Sequence, residues 1–390
     1  MRVPGFTSTG SKRPEALFGA GAPVGLPVRV ARARGAEVWD DAGCQYLDFL
    51  MALGAVSLGY GHPAVNQAAH AAIDAGVVGP LPPGSEEQLA EQLAILIPVM
   101  ERVRFLETGA EAVAAAVRLA RAATGREMIL RAGYQGWLDW CQPAGTPGVP
   151  VALFGLSEAL QFNDPERGRS MIRSLANRLA AVVIEPVVEE APSLEWLAML
   201  REETRRVGAL LVIDEIKTGF RLAVGGATER YGLDPDLVVL GKALANGFPL
   251  AVVGGRRAVM EQARNTWISS TLATEFVALA AARAAVGVTI AERVPEHLGR
   301  VGSLLHDGLA ALAERYPSRL TGVTGVPEMC GLRFHSEEDG VQLVRTLAHH
   351  GVLFKRSAYN FVSLAHDRAA VQRALDRLAQ ACEDLRWPAG

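Results

Sequence analysis

Three wholly apolar runs near the middle of the chain each end in one ionisable residue. Ala181-Val-Val-Ile leads into Glu185-Pro186, Ala209-Leu-Leu-Val-Ile into Asp214, and Leu237-Val-Val-Leu-Gly into Lys242. Runs of this length without polar alternation suit strands covered on both faces. Such strands are usually parallel, with a helix crossing over between each pair. The stretches between them leave room for those helices. In open sheets of this kind, ligands bind at the carboxyl edge of the strands. All three ionisable groups would sit on that edge.

The flanking sequence extends the alternation. Met128 to Leu130 and Ala251 to Gly254 read as strands, and 168–177 and Leu194 to Arg206 as helices, with Ser193 as an N-cap. Pro63 to Ala75, Glu86 to Ile97 and Glu111 to Thr124 are helical, the last stopped by Gly125. Phe105-Leu106 closes a short strand. The first 25 residues are Gly- and Pro-rich and read as an arm with little structure of its own. Residues 27–50 form short strands, with turn chemistry at Asp41 to Gly43. An Ala-rich helical stretch from Thr274 to Ala291 is expected to leave the large domain. Helices over 297–315 and Asp367 to Cys382 follow, with strands near Gly331-Leu-Arg-Phe and Val352-Leu-Phe. The expected organisation is an arm with short strands over 1–50, a large domain over 51–288 and a smaller α+β domain over 289–390.

Composition narrows the possibilities further. A net charge of −3 gives no electrostatic case for nucleic acid or an anionic membrane. No apolar run has the length of a membrane span or signal peptide. Cys44, Cys141, Cys330 and Cys382 are scattered without metal spacing, so free thiols, a cytoplasmic location and no metal are expected. Metalloprotease, Walker and nucleophile-elbow motifs are absent. Glu189-Glu190 reads as a solvated turn.

An amine and a carboxylate brought to one crevice suit pyridoxal phosphate. Lys242 can form the Schiff base, and Asp214 can pair with the pyridinium nitrogen and keep the ring an electron sink. Otherwise Lys242 is a surface lysine, and Asp214 a helix cap or a partner of Arg221. Ile216 lies two residues past Asp214, so in an extended segment it points the same way and can underlie the ring. Thr108-Gly109-Ala110-Glu111 opens a helix whose N–H groups can hold a phosphate, or only cap it. Tyr134, in Gly133-Tyr-Gln-Gly-Trp137, can stack on the cofactor ring. Trp137 and Trp140 either wall the pocket or pack, and packing suits Trp140 better. Ser269-Ser270-Thr271 offers hydroxyls for a phosphate or for N-capping.

Together these residues resemble the class III, fold type I pyridoxal phosphate aminotransferases, especially glutamate-1-semialdehyde aminomutase and its aminotransferase relatives. The resemblance runs from about residue 27 to the C-terminus. It rests on Asp40-x-x-Gly-x-x-Tyr-x-Asp48, Gly59-Tyr-Gly-His-Pro63, Val117-Arg-Leu-Ala-Arg-Ala-Ala-Thr-Gly-Arg126, Ile184-Glu-Pro-Val187, Ile213-Asp-Glu-Ile-Lys-Thr-Gly-Phe-Arg221, Pro235-Asp-Leu-Val-Val-Leu-Gly-Lys242 and Phe361-Val-Ser-Leu-Ala-His366. It implies that Lys242 carries the cofactor and Asp214 holds the pyridinium, with Tyr134 and Ile216 on opposite ring faces. Gly109 and Ala110 would donate to the phosphate, and Glu185 would lie near the cofactor. Ser270 and Thr271 would reach the phosphate of the neighbouring subunit, in a homodimer with shared sites.

Three departures separate the chain from the patterns of the aminomutase and its relatives. A Ser-Trp-Gly-Pro substrate segment is replaced by Ala52-Leu-Gly-Ala55, Gly-Tyr-His-Gly by Gly133-Tyr-Gln-Gly136, and Gly-Thr-x-x-x-Asn-Pro by Ser270-Thr-Leu-Ala-Thr-Glu-Phe276. The cofactor shell is kept while the substrate shell changes. Leu53, Trp137 and Arg356 are the candidate substrate contacts. The expected activity is transfer of an amino group from an amino-acid donor to an aldehyde or ketone acceptor, such as a sugar, aminocyclitol or other secondary-metabolite intermediate. An aminomutase or racemase is the alternative, and a non-catalytic pyridoxal phosphate-binding protein a remote one.

Overall fold

Val, Leu, Ile and Ala fill the central strands without interruption, so both faces of those strands need cover. The computed structural model, which describes residues 2–21, 25–357 and 359–390, supplies it with helices. The chain divides into two compact units, Met1–His62 with Glu296–Gly390, and Pro63–Pro295. In chain order the strands are β1 (Val30–Arg34), β2 (Glu37–Asp40) and β3 (Gln45–Asp48), then β4 (Arg102–Leu106), β5 (Met128–Ala132), β6 (Ser157–Ala159), β7 (Leu179–Ile184), β8 (Leu210–Asp214), β9 (Leu237–Leu240) and β10 (Ala251–Gly255). β11 (Leu320–Val326), β12 (Met329–Phe334), β13 (Val352–Leu353) and β14 (Asn360–Phe361) follow.

The unit Pro63–Pro295 is built on a seven-stranded sheet of order β4-β10-β9-β8-β7-β5-β6. β6, β5, β7, β8 and β9 are mutually parallel. β10 runs antiparallel to both β9 and β4. The reason is chain length: the short link from Leu240 to Ala251 cannot make the crossover of about a dozen residues that a parallel neighbour needs. One face carries the helix Gly109–Thr124, whose Val113, Ala116 and Leu119 are fully buried among Ile129, Val183 and Val212. Another cluster joins Leu130, Val182 and Ile213 to Trp196 and Leu200 of the helix Leu194–Val207. Ser193 caps that helix as expected, accepting from Trp196 N at 3.2 Å. Contrary to expectation, the Ala-rich helix, Phe276–Ala291, does not leave this unit but packs on Pro63–Asp74 within it.

The other unit holds a four-stranded sheet, β1-β2-β3-β13, and a three-stranded one, β11-β12-β14. The turn after β2 is built as its sequence suggested: Asp40 Oδ1 accepts from the Ala42 and Cys44 amides, and Gly43 takes φ +83°. Three further expectations need correction. The N-terminal arm carries a helix, Pro14–Phe18, with Phe18 buried against Val38 and Tyr46. The first strand lies at Val30–Arg34, past the Pro27 that disfavours ladder pairing. The C-terminal region also contains a helix, Glu337–His349, and the strand Leu320–Val326, both absent from the sequence reading.

The sheet leaves no room at one point. A Cβ on Gly255 would come within 2.2 Å of the Asp236 carbonyl oxygen, a backbone atom that cannot rotate away. Gly255→Ala is expected to cost about 1–3 kcal/mol through forced strand separation. A lowered thermal unfolding midpoint would register this; an unchanged midpoint would show that the strands accommodate a methyl group.

Candidate active site

Register places the strand-end residues side by side. Ile184 pairs with Ile213 and Asp214 with Val239, so β7, β8 and β9 stop at nearly the same level. Glu185 follows β7, Asp214 ends β8, and Gly241-Lys242 follow β9. Ala132 pairs with Ile184, which brings Gly133-Tyr134 beside Glu185. The Glu185 amide donates to the Ala132 carbonyl at 3.0 Å, carrying the ladder one step past the strand.

Lys242 starts a tight 3-10 turn, Lys242–Ala245, closed by Asn246 in the left-handed region. Lys242 itself has φ +42°. Left-handed backbone at a non-glycine residue costs free energy and is concentrated at functional sites. The side chain is partly buried. Burial pushes its pKa down, Asp214 and Glu185 pull it up, and Lys217 and Arg221 push it down. Desolvation is the strongest of these influences, so the amine is biased toward its neutral, nucleophilic form.

Asp214 is only 2% exposed. Its Oδ1 accepts from the Ile216 amide at 3.0 Å. Burial, and then the neighbouring Glu185 carboxylate, raise its pKa to about 7, against the opposing pull of the Ile216 amide, Lys242 and Lys217. Glu185 is 4% exposed and grips two elements. Its Oε2 accepts from Tyr134 N at 2.9 Å, and its Oε1 lies 3.0 Å from Lys217 Nζ. Sequence reasoning did not single out Lys217. Arg221, considered there as a partner for Asp214, is fully buried and donates from Nε to the Lys217 carbonyl at 3.1 Å.

Close packing connects the remaining candidates. A Cβ on Gly109 would fall 2.6 Å from Ile216 Cδ1, one on Gly133 2.6 Å from Glu185 Oε2, and one on Gly136 2.7 Å from the Ala110 Cβ. Gly109, Ala110, Ile216, Glu185 and the 133–136 loop therefore line one neighbourhood. At the helix opening, Thr108 and Glu111 form a reciprocal capping box. That leaves the Gly109 and Ala110 amides at the helix mouth without intrahelical acceptors. Tyr134 and Trp137 are 67% and 72% exposed, whereas Trp140 packs against the core, as expected. Glu189 and Glu190 are exposed, and the Glu190 carboxylate accepts from Asn163 Nδ2 at 2.8 Å.

Ser270 Oγ donates to Glu107, next to the capping box, and Thr271 is exposed. Neither caps the following helix: Glu275 does so, accepting from the Val277 and Ala278 amides. Leu53 and Arg356 belong to the other unit. Leu53 sits in an unusual turn in which Met51, Ala52, Leu53 and Gly54 have φ of +45°, +50°, +60° and +83°. Asp48 holds this turn by accepting from the Leu50 and Met51 amides and from Tyr60 Oη, which itself accepts from the Ala52 amide at 2.9 Å. Arg356 Nη1 pairs with Glu337 at 3.1 Å.

The chain matches the model of the class-III aminotransferases over residues 20–382, and it belongs to that family. It is similar to the FumI protein of Sphingopyxis sp. MTA144 in its PLP internal aldimine form (26% identity, 96% of this chain and 93% of that one, TM-score 0.88). It is also similar to an omega-transaminase from Sphaerobacter thermophilus (26%, 99% and 95%, TM-score 0.87). A third likeness is to a glutamate-1-semialdehyde-aminomutase from Pseudomonas aeruginosa PAO1 (25%, 92% and 88%, TM-score 0.83). The fold is that of the fold type I transaminases, and the protein is an enzyme of the pyridoxal phosphate-dependent aminotransferase class. Its substrates are small-molecule amino donors and acceptors. No helix among the described residues is long and apolar enough to cross a membrane.

The residues present fit pyridoxal phosphate: a desolvated amine, a buried carboxylate, and two helix-mouth amides in a closely packed neighbourhood. Asp214 also sets a pH signature for the cofactor-free protein. Its pKa is raised from an ordinary 3.8 to about 7, so its contribution to stability is full below about pH 4 and is lost as pH rises through 7. Asp214→Asn should flatten this part of the curve. Thermal midpoints of both cofactor-free proteins between pH 4 and 8 test it, and parallel curves would refute the raised pKa.

Proposed function

We propose that the enzyme moves an amino group from an amino-acid donor to an aldehyde or ketone acceptor, with Lys242 as the proton-transfer base and Asp214 as the anchor of the cofactor's pyridine nitrogen. The observation that carries this reading is the convergence of a desolvated lysine and a buried aspartate at the ends of adjacent parallel strands. When bound, pyridoxal phosphate supplies an electron sink for the pair left behind as the donor loses its α-proton. Lys242, in its neutral form, takes that proton and returns it to a neighbouring carbon. Asp214, as the carboxylate, keeps a proton on the ring nitrogen facing it. The Gly109 and Ala110 amides hold the phosphate at the helix mouth, where the macrodipole favours an anion. Ile216 and Tyr134 would lie on the two faces of the ring.

For the acceptor we propose a sugar, aminocyclitol or related secondary-metabolite carbonyl. The Ala52-Leu53-Gly54-Ala55 turn offers neither the hydroxyl nor the indole of the aminomutase segment, while Trp137 presents an exposed aromatic face suited to a sugar ring. Leu53 and Arg356 are proposed as further substrate contacts. The proposed assembly is a cytoplasmic homodimer in which Ser270 and Thr271 reach the phosphate of the other subunit. The proposed division is an arm with short strands over 1–50, a large cofactor-binding domain over 51–288 and a smaller domain over 289–390. Likeness to the aminomutase supports a second reading, return of the amino group to the same molecule.

Lys242→Ala should lose both the visible absorbance of the bound cofactor and essentially all turnover. A variant retaining both would remove Lys242 from its role. A single turnover with one amino acid separates the two readings: a transaminase releases a keto acid and stops with the amino group on the cofactor, whereas an aminomutase releases no keto acid.

A further inference from the structure

Two carboxylates, Asp214 and Glu185, approach the site from β8 and β7, yet the proposed chemistry needs a counter-charge for only one of them. An amine flanked by two carboxylates would be held as the ammonium ion, unable to accept a proton. A second lysine meets the second carboxylate. Lys217 Nζ lies 3.0 Å from Glu185 Oε1, with both side chains largely buried. The other oxygen of Glu185 is taken by the Tyr134 amide at 2.9 Å. Gly133 leaves the carboxylate in place only because it lacks a Cβ, which would collide with Oε2 at 2.6 Å. Glu185 is thus held on both oxygens.

We propose that Lys217 is a positioning residue: by neutralising Glu185 it reserves Asp214 for the cofactor and frees the Lys242 amine for proton transfer. The inference rests on the function proposed above. The charged groups acting on Lys242 are Asp214 from β8, Glu185 from β7, and Lys217 and Arg221 from the segment after β8. Glu185 and Lys217 act on the amine with opposite sign, so removing either one should move it in opposite directions. A residue that only braced the fold would not produce that pattern.

The test reads Lys242 directly in the cofactor-free protein. Acetic anhydride labelling of Lys242 is followed against pH by peptide mass spectrometry. Lys217→Met should raise the labelling midpoint by about one pH unit, the lower end of what a nearby charge contributes. Glu185→Gln should lower it, the double variant should return near wild type, and Lys217→Arg should leave it in place. Circular dichroism identifies any variant that fails to fold, and the remaining variants still fix the sign. Unshifted midpoints, or shifts of the same sign in both single variants, would overturn the proposal. Visible absorbance of the cofactor-loaded wild type and its loss in Lys242→Ala report separately on the underlying function, so a failure of each idea is distinguishable.

Discussion

The parallel pairing of β7, β8 and β9 is the constraint on which the site depends. Strands in register deliver their last residues to one level, and only parallel strands deliver them to the same edge. Ile184 opposite Ile213, and Asp214 opposite Val239, turn three separated sequence positions into neighbours. The strands are apolar on both faces, so a one-residue slip would move large side chains between the two helical layers. Register is therefore enforced by the core. The chemistry inherits its geometry from packing that takes no part in it.

The same burial that fixes register tunes the charges. Desolvation lifts Asp214 and depresses Lys242, each toward its neutral form. Two groups disfavoured as ions in a dry crevice are stabilised when they meet a ligand with complementary charge. On the proposed reading, a pyridinium facing Asp214 would restore the partner that burial has removed. The helix mouth at Gly109 does the same for an anion, since its amides are oriented before any ligand arrives. In the proposed arrangement the cofactor would complete an electrostatic pattern that the protein alone leaves unbalanced.

How much of this could be read from the sequence varied with the distance over which each residue acts. Lys242, Asp214 and Glu185 were legible because each ends an apolar run, and a strand end is a local signal. Ser193 and Gly125 were legible as helix ends for the same reason. Lys217 was not. In Glu215-Ile-Lys-Thr-Gly it looks like a solvent-facing lysine, and only the fold brings it to Glu185 on the preceding strand. β11 was hidden by Gly322 and Gly325, which read as loop punctuation. The helix Glu337–His349 did carry a signal, Ser336 followed by three acidic residues, but Gly340 interrupts its pattern. The turn at Met51 to Leu53 had no local signal, because no sequence rule places three consecutive side chains in left-handed backbone. It exists because Asp48 and Tyr60, brought together by folding, bind its amides.

Lys242 occupies a backbone conformation that glycine or asparagine would adopt more readily. Glycine at this position would therefore relieve about 1–2 kcal/mol of backbone strain while removing the amine. On the role proposed for Lys242, replacement of this residue by glycine or asparagine in a related chain would mark loss of the chemistry with the fold kept, and even strengthened.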